Sequence, residues 1–596
     1  MKGGCGPLCD RADESNVDVD VEVTVEFFGL VAPGCESRCT RVRHVLPHDS
    51  NLAPPGRVSR GDVAETTGTV DVAPDRSTQR YTSRTSLQSG WMLDPHDLKT
   101  MDATEMGRRL ATRQLRSEDL AAAHLALIEE RNPPINAFAL VRPEATLDRA
   151  RQMDHELDNG VRRSAFHGVP FTVKDSLDTA GWRTARGSRI FEDRVPDADA
   201  TAVARMLDAG AVLLAKTNVP EFSFWTETDN DLAGRTNHPD DESRTAGGSS
   251  GGESAAIASR MSPAGLGSDV AISVRGPAHC TGIAALKPSR SRIPITGHWP
   301  PVPAKFWHVG PMARTVRDVA AMFDILHGRD GIDENVTEQR LARTPTVDTS
   351  KLKVGWTSQP AFGPVSRQVD RVLENAATAV TDHVAVVEHT KQLDSLAELD
   401  GTRISAILFI AEVVPLFSKY RGQAHLLTDR VRRMLDLDIA STTEQQDALD
   451  SIDLIERILD RYFGDFDILL CPVCPTTAPP HNRSHLQIDE ESVPARAVMR
   501  ATVPFNLTGH PAVSLPFGTA DDGLPINVQI VSRPKHDEVA LSFAAALESR
   551  RPTSTTSANR GLDYDVTPIR SRSVGRRSRM RMPRRLRLGG SSTRPP

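Results

Sequence analysis

Three serines stand out, because each lies in a setting that favours nucleophilic chemistry. Ser249 and Ser250 belong to Gly247–Gly252 (GGSSGG), a run of residues with very small side chains, and the next segment, Glu253–Arg260, has the composition of a helix. Such a loop lets the backbone come close to a ligand and directs helix N-terminal amides toward it. A phosphate-binding loop is the rival interpretation, but no Lys-Ser/Thr pair follows at P-loop spacing. The hydroxyls of Ser249, Ser250 and Ser273 therefore favour a nucleophilic site.

A flexible linker is the other interpretation of a segment so rich in glycine and serine. The apolar runs Ala255–Ile257 and Ala264–Leu266 follow the loop directly, and they indicate an ordered region. Composition alone leaves catalysis and a structural loop both open.

The loop is one of a series of separated motifs, and this series resembles the amidase signature family. The motifs follow the family's order over about residues 95–545, and a set in one order is far more specific than a single Gly-rich loop. The segments that carry the resemblance are GGSSGG (247–252), GSDVAISVR (267–275), PAHCTGIAALKP (277–288), GVPFTVKDSLDTAG (168–181), AKTNVPEFS (215–223), HVGPMARTVRDVA (308–320), PFNLTGHPAVSLPFG (504–518) and GLPINVQIV (523–531).

The resemblance implies Ser273 as nucleophile, Ser249 as a bridging serine in a cis peptide and Lys174 as base. A serine hydroxyl is a weak nucleophile at its free pKa and needs a neighbouring base. Burial of Lys174 among the apolar residues of its segment would lower its pKa and make the neutral amine available. Neutral Lys174 would then take a proton from Ser273 through Ser249.

The resemblance also implies an oxyanion hole made of the backbone N–H groups of Val270, Ala271, Ile272 and Ser273. Here the chain departs from the family, which commonly has two glycines where this sequence has Ala271 and Ile272. An isoleucine does not readily adopt the positive φ open to glycine, so we expect a loop geometry suited to L-residues. A lost oxyanion donor costs about 10²–10³ in rate, so the substitution bears directly on activity.

Ser250, Asp269 and Arg275 are predicted to support the nucleophile loop, the two charged residues through charge-assisted hydrogen bonds. His279 and His308 are rival bases for a Ser/His/Asp triad. No G-x-S-x-G elbow accompanies them, so we interpret both as structural histidines with satisfied hydrogen bonds.

Several other side chains have open roles. Trp182, Phe224 and Trp225 are candidates for a substrate cleft or for core packing, and Cys280 is expected to lie in the core. The chain has seven cysteines, an odd number that argues against a disulfide framework. The close pairs Cys5/Cys9, Cys35/Cys39 and Cys471/Cys474 leave a zinc site conceivable, although free thiols are the preferred interpretation.

The chain alternates short apolar strands with helices from about Asp94 onward, which predicts an α/β fold with a mixed sheet covered by helices on both faces. With the resemblance, this predicts a single large amidase-signature domain over residues 91–548. An N-terminal extension, mostly disordered, is expected over 1–90, where Val17–Phe27 alternates like a strand. An Arg-rich disordered tail is expected over 549–596. The predicted helices are Ser117–Arg131 with Ser117 as its N-cap, Glu144–Leu157, Thr201–Ala209 closed by Gly210, and Glu253–Arg260. The predicted strands are Gly168–Asp175, Ala211–Leu214, Ala512–Pro516 and Ile526–Val531.

The net charge of −6 hides an asymmetry between body and tail. Residues 551–596 contain twelve arginines and two aspartates, so this tail carries +10 and the remainder −16. An acidic body is not a general nucleic-acid-binding surface, and the tail is the one place where RNA or acidic lipid would bind. No run approaches the roughly 18–20 apolar residues of a membrane span, and the N-terminus lacks the pattern of a secretory signal, so a cytoplasmic location is expected.

The sequence therefore predicts an amidase that hydrolyses a carboxamide of a small-molecule, fatty, aryl or peptidyl substrate through a serine acyl-enzyme. No cofactor or metal is implied, and a homodimer is a possibility. One alternative is the A subunit of a glutamyl-tRNA(Gln) amidotransferase, although such proteins usually have Gln where this chain has Gly276. The other alternative is a binding protein of the same fold whose altered oxyanion loop has lost activity.

Overall fold

An eleven-stranded mixed sheet runs through the computed structural model, which describes residues 93, 98, 100–301, 306–341 and 343–552. The fifteen strands of this part of the chain are β1 (Phe138–Val141), β2 (Pro170–Lys174), β3 (Val212–Thr217), β4 (Asn237–His238), β5 (Asp241–Thr245), β6 (Ala264–Asp269), β7 (Ala284–Lys287), β8 (His308–Ala313), β9 (Lys353–Trp356), β10 (Val386–His389), β11 (Ile468–Pro472), β12 (His485–Ile488), β13 (Glu491–Pro494), β14 (Ala512–Thr519) and β15 (Pro525–Val531).

The large sheet has the strand order β1-β3-β2-β6-β8-β7-β14-β15-β11-β9-β10. Its parallel pairs are β2 with β3, β2 with β6, β9 with β10 and β9 with β11, and the other neighbours are antiparallel. Two small antiparallel pairs, β4 with β5 and β12 with β13, lie outside this sheet. The predicted mixed sheet is confirmed.

Thirteen α-helices lie in the described residues. They are α1 (Ala103–Ala111), α2 (Ser117–Ile135), α3 (Pro143–Asp158), α4 (Thr201–Asp208), α5 (Gly251–Ala258), α6 (Arg275–Thr281), α7 (Val316–Leu326), α8 (Arg367–Ala379), α9 (Gly401–Ser418), α10 (Asp429–Leu435), α11 (Thr442–Asp465), α12 (Val503–Leu507) and α13 (Asp537–Glu548).

Alternate residues of the central strands pack into different apolar clusters, which shows that helices cover both faces of the sheet. On β11, Ile468 and Leu470 lie in the main core, together with side chains of α4, α7, α8 and α13. Leu469 and Cys471 lie in a second cluster with Tyr462 of α11 and its neighbours. Because side chains alternate between faces along a strand, these two clusters are on opposite faces. The predicted α/β fold with a doubly covered sheet is therefore confirmed.

The start of α2 corrects one prediction. Ser117 was expected to cap this helix, but Arg116 is the capping residue and makes no side-chain cap hydrogen bond. Instead, the buried carboxylate of Asp154 on α3 accepts hydrogen bonds from the backbone N–H of Ser117 at 2.8 Å and of Glu118 at 3.0 Å. The Ser117 hydroxyl donates to the carbonyl of Gly168 at 2.7 Å. A cap from a distant helix leaves no local sequence pattern, so it was missed.

Other boundaries differ by a few residues. The predicted strand Ala211–Leu214 is Val212–Thr217, so Lys216 lies within it. Gly210 has φ +88°, as expected for the glycine that closes a helix. Helix α1 and strand β1 were not predicted. The alternating run Val17–Phe27, the whole of 1–90 and most of 549–596 lie outside the described residues.

Among the described residues, α9 is the one helix long and apolar enough to cross a membrane by length and composition, although no span is predicted from the sequence. Helices inside a protein core pass the same test, so this is weak support for a span. Leu408, Val413 and Phe417 of α9 are buried in two apolar clusters, and the helix contacts α10, α11 and α12.

Candidate active site

Lys174, the last residue of β2, has no solvent exposure and points at the two serine-bearing segments. Its Nζ donates to Ser249 Oγ at 2.7 Å and to Ser268 Oγ at 3.0 Å, with the Ser268 carbonyl at 3.3 Å. Burial lowers the pKa of Lys174 from 10.5 to about 7, although the carboxyl groups of Asp269 and Glu253 oppose this shift. Near neutral pH a large fraction of this amine is therefore unprotonated, as a base requires.

A buried carboxyl group ties the strands that carry this lysine to the helix after the serine loop. Glu253 on α5 is hydrogen-bonded by the Thr172 hydroxyl on β2, and the Thr217 hydroxyl on β3 donates to its other oxygen at 2.8 Å. Burial raises the pKa of Glu253 to about 8. Since Thr172 lies two residues before Lys174 on the same face of β2, these bonds fix the lysine relative to α5.

The GGSSGG loop is closely surrounded by backbone. Gly247 has φ +84°, and a Cβ added there would lie 2.8 Å from the Cα of Pro277. A Cβ at Gly248 would lie 2.6 Å from the backbone N of Glu227, so neither position accepts a larger residue without movement. The Gly248–Ser249 peptide bond is cis, as the resemblance implies. Ser250 Oγ lies 3.4 Å from both the backbone N and O of Ser268.

The loop between β6 and α6 contains four consecutive N–H groups, those of Val270, Ala271, Ile272 and Ser273, without a hydrogen-bond acceptor among the described residues. None of these four residues has positive φ, so the loop is open to L-residues. A run of free, adjacent N–H groups can bind an oxyanion.

The carbonyls and side chains of this loop are anchored instead. The guanidinium of Arg275 donates to the Ala271 carbonyl at 3.1 Å, and the N–H of Gly276 donates to the Ile272 carbonyl at 2.7 Å. Ala271 and Ile272 pack into two different apolar clusters, and Val270 packs against the cluster of Ala271 and against Trp307. Anchoring on these sides keeps the N–H groups available.

Asp269 and Arg275 form a fully buried ion pair beneath the loop. Asp269 Oδ1 is 3.0 Å from Arg275 Nη2, its Oδ2 accepts from the N–H of Val274 at 3.0 Å, and Asn506 Nδ2 donates to Oδ1 at 2.9 Å. Burial alone would raise the pKa of Asp269, but the charge and hydrogen bonds of Arg275 hold it well below its usual range. Arg275 Nη1 also donates to Gln529 Oε1 at 2.8 Å. These hydrogen bonds join Asp269 and Arg275 to Val274 of the loop and to Asn506 and Gln529.

Ser273 occupies the other end of the candidate relay, with 5% of its surface exposed. Its hydroxyl forms no hydrogen bond with any other residue that the structure describes. The structure thus joins Lys174 to Ser249 but does not join Ser249 to Ser273 by a hydrogen bond. Catalytic hydrogen bonds of free enzymes are often long and shorten in the substrate complex.

The family model for amidases matches residues 119–541, which includes every residue of this site. The chain belongs to the amidase family. Members of the amidase signature group are hydrolases of C–N bonds, and the family also includes the A subunits of amidotransferases.

Curated relatives carry both kinds of name. The glutamyl-tRNA(Gln) amidotransferase A subunit of Cutibacterium acnes is 30% identical over 495 residues, which cover 76% of this chain and 95% of the relative. The acylamidase of Rhodococcus erythropolis is 31% identical over 473 residues, which cover 76% of this chain and 96% of the relative. The relatives of this chain thus include proteins named as amidotransferase subunits and a protein named as an acylamidase.

Solved structures agree with this assignment. A bacterial aryl acylamidase of the amidase signature family is 25% identical with a TM-score of 0.70 and covers 76% of this chain and 96% of its own. The structure of 6-aminohexanoate cyclic dimer hydrolase is 27% identical with a TM-score of 0.68 and covers 78% of this chain and 99% of its own.

Four residues of the candidate site were not predicted from the sequence, namely Ser268, Glu253, Asn506 and Gln529. Each lies in or beside a motif that carries the resemblance: Ser268 precedes Asp269 in GSD, Glu253 follows GGSSGG, and the two amides lie in PFNLTGHP and GLPINVQIV. The available signal was a polar residue in or beside a motif of the buried core, because a buried polar group needs hydrogen-bond partners.

The two histidines considered as rival bases, His279 and His308, differ in their hydrogen bonds. His279 is buried, its Nε2 lies 3.0 Å from the Thr476 carbonyl, and its Nδ1 accepts from the N–H of Asn527 at 3.3 Å. His308 is also buried, but neither ring nitrogen has a hydrogen-bond partner among the described residues, contrary to the expectation of a satisfied histidine. Burial lowers the pKa of His279 to about 4 and holds that of His308 well below its ordinary value.

One of the three aromatic candidates lies in the main core, and the other two are half-buried. Trp182 belongs to the main core and packs under the guanidinium of Arg142. Phe224 stacks on Phe409 with ring centroids 5.6 Å apart, and Trp225 lies 4.1 Å from the guanidinium of Arg430.

The described cysteines, Cys280, Cys471 and Cys474, are free and buried. Burial raises the pKa of Cys280 and of Cys471 to about 12, so neither is a thiolate at neutral pH. The pairs Cys5/Cys9 and Cys35/Cys39 lie outside the described residues.

Proposed function

We propose that this protein hydrolyses carboxamides through an acyl-enzyme on Ser273, with Ser249 and Lys174 as a proton relay. One observation carries the proposal: a fully buried lysine with its pKa lowered to about 7 donates a 2.7 Å hydrogen bond to Ser249. Lys174 contacts two serine hydroxyls, and no carboxylate of the described residues lies within ion-pair distance of its Nζ.

In the acylation step Ser273 Oγ attacks the amide carbonyl carbon, and its proton moves to Ser249 as the Ser249 proton moves to the neutral Nζ of Lys174. A C–O bond forms, and the carbonyl oxygen becomes an oxyanion. When the C–N bond breaks, the lysine returns its proton through Ser249 to the departing nitrogen, so ammonia or an amine leaves neutral.

In deacylation, water attacks the Ser273 ester through the same relay and releases the carboxylic acid. The oxyanion of both steps would bind the free N–H groups of Val270–Ser273. These groups are worth most where charge develops, because they are fixed before the reaction.

The surroundings favour an apolar group on the substrate. Trp307 packs against Val270, at the start of the oxyanion loop, and against Phe409, on which Phe224 stacks. Trp307 is buried and Phe409 is half-buried, so an acyl chain or ring bound beside this loop would meet aromatic side chains. We therefore propose fatty or aryl amides as substrates.

The first test is intact-mass analysis after treatment with a fluorophosphonate. Wild type should gain a single adduct, and Ser273→Ala, with the same circular dichroism spectrum, should gain none. An adduct that persists in Ser273→Ala would contradict the assignment of the nucleophile. A folded wild type without an adduct would favour the alternative of a binding protein that has lost its chemistry.

Turnover is tested by release of ammonia from benzamide and hexanamide and of p-nitroaniline from p-nitroacetanilide. Release by wild type and loss in Ser273→Ala would support hydrolysis. Labelling by the fluorophosphonate without turnover of any of these amides would contradict the proposed substrate class but keep the nucleophile.

The A subunit of an amidotransferase is the second candidate, because several relatives carry that name. Such a protein would hydrolyse glutamine and deliver the ammonia to a partner. Glutaminase activity that rises when the chain is purified with tRNA and a second protein chain would favour this candidate over a free-standing amidase.

The extent of the catalytic domain, residues 91–548, also remains a proposal, as do a cytoplasmic location and a homodimer. Expression of residues 91–548 alone would test the first. A truncated protein that labels like the full chain would support these limits, and loss of folding would contradict them.

A further inference from the structure

Ile272 stands where the resembling family has glycine, and the structure shows what its side chain contacts. Only 2% of Ile272 is exposed, and it packs with Val473, Leu486 and Val493. The last two belong to the hairpin of β12 and β13, so the centre of the oxyanion loop is attached to an element outside the main sheet.

Ile272 also fills the space above Gly276, in the first turn of α6. A Cβ built on Gly276 would lie 2.5 Å from Ile272 Cγ1 and 2.8 Å from its Cδ1, closer than carbon atoms approach each other. The backbone N–H of Gly276 donates to the Ile272 carbonyl at 2.7 Å. A large residue at 272 and no side chain at 276 are thus complementary in volume.

Hydrogen bonds hold the carbonyls on both sides of the Ile272 Cα. The Arg275 guanidinium donates to the Ala271 carbonyl and the N–H of Gly276 donates to the Ile272 carbonyl, so the two peptide groups that carry the Ile272 and Ser273 N–H are each bonded at their carbonyl end. Apolar packing of the Ile272 side chain holds the Cα between these two peptide groups, and its position therefore affects the direction of both N–H groups.

We propose that Ile272 is a positioning residue whose side chain, packed on Gly276 and on the β12–β13 hairpin, aims the free N–H groups of the oxyanion loop. This inference rests on the proposed function. In this chain a packed side chain takes the place of the family's glycine: packing of Ile272 makes the loop rigid, and Gly276 leaves the space that the Ile272 side chain fills.

A double-mutant cycle tests the pair, with Ile272→Ala, Gly276→Ala and the double variant, read by the second-order rate constant for fluorophosphonate labelling. Each single change should slow labelling about tenfold, part of the 10²–10³ that one complete donor is worth. The alanine at 276 fits once Ile272 is shortened, so the double variant should be no slower than Ile272→Ala. Independent effects would multiply to about a hundredfold, and that result would overturn the proposal.

Two controls separate positioning from loss of folding. Ile468→Ala removes the same atoms from the main core far along the sheet, and it should lower the unfolding midpoint without slowing labelling more than about threefold. Ile272→Val keeps the branched carbon and should label within about threefold of wild type. Equal slowing by Ile468→Ala and Ile272→Ala would overturn the proposal, because stability alone would then explain the rates.

Hydrogen–deuterium exchange of a peptide covering 270–276 gives a readout that does not need catalysis. Each single variant should speed exchange, and the double variant should not exceed Ile272→Ala. Coupled exchange in a protein that no fluorophosphonate labels would reject the proposed function and keep the positioning role. A labelled wild type with uncoupled rates and uncoupled exchange would reject the positioning role alone.

Discussion

Two fully buried lysines on neighbouring strands give the clearest comparison in this molecule. In the parallel pairing of β2 and β3, Lys174 lies beside Thr217 and Val173 lies beside Lys216. Because side chains alternate between faces, the two lysines project from opposite faces of the sheet. Lys174 meets the serine loops, whereas Lys216 meets the loop that follows β2.

Burial lowers the pKa of both lysines, but their neighbours give them different chemistry. Lys216 Nζ lies 3.9 Å from Asp175 Oδ1 and donates to the Thr179 hydroxyl at 2.8 Å, and the Asp175 charge limits the fall in the pKa of Lys216 to about 8. Lys174 contacts hydroxyls and one carbonyl, and its pKa falls to about 7. Burial thus makes a lysine a candidate base, and the groups around its Nζ decide whether it can accept a proton or is held as a cation.

The largest expected effect compares Lys174→Met with Lys216→Met. Loss of the base should slow fluorophosphonate labelling by about 10²–10⁴, the usual contribution of a general base. Lys216→Met should stay within about tenfold, because Lys216 faces away from the serines. Both rates are measured on protein with a cooperative unfolding transition. Equal slowing in two folded variants would contradict the assignment of Lys174, and not Lys216, as the base.

The two adjacent serines, Ser249 and Ser250, allow a second paired test of the proton relay. Ser249→Ala removes the group that Lys174 contacts and should slow labelling by about 10²–10³, within the range for interrupted proton transfer. Ser250→Ala removes only long contacts with the backbone of Ser268 and should slow labelling less than tenfold. If Ser250→Ala were the slower variant, the proton would pass through the Ser250 hydroxyl and not through Ser249 as we propose.

Much of the site was predictable because its residues lie in ordered motifs. The sequence led to Lys174, Ser249 and the Asp269–Arg275 pair, and the structure brings Lys174 and Ser249 into contact and pairs the two charges. Alternation of apolar strands and helices also led to the fold class, because the periodicity reflects which faces are buried.

Other features could not be predicted, because they depend on residues distant in sequence. The volume match of Ile272 with Gly276 and the hairpin needs the backbone path, and so does the cap that Asp154 supplies to α2. Lys216 lies in the AKTNVPEFS motif, yet no local signal shows which face of β3 it occupies. A bulge between Phe171 and Thr172 shifts the register of that pair, and register decides the face.

The pH dependence tests which protonation state of Lys174 is active. Since the base must be neutral, the labelling rate should rise about tenfold per pH unit below the pKa and level off above about 7. Lys216→Met should leave this midpoint within about half a unit, because Lys216 lies on the other face. A midpoint near 10 would mean that Lys174 is not desolvated as the structure indicates.

Lys174→Met and Lys216→Met should change the free energy of unfolding in opposite directions. In the fold Lys174 binds its proton with a pKa of about 7, and in the unfolded chain near 10.4, so between these values the unfolded state binds more protons and stability rises with pH. Lys174→Met removes this penalty and should stabilise the protein at pH 7 by on the order of a few kcal/mol. The gain should shrink toward pH 10.

Lys216→Met also removes a lysine whose pKa is lowered, but it leaves the buried Asp175 carboxylate without its cation, which costs about 3–5 kcal/mol. The loss of the cation should outweigh the gain, so a smaller net destabilisation is expected at pH 7. Urea unfolding of wild type and both variants at pH 7 and pH 9 measures the two changes together. Destabilisation by both would show that Lys174 is held as a structural cation, and its role as the neutral base would have to be abandoned.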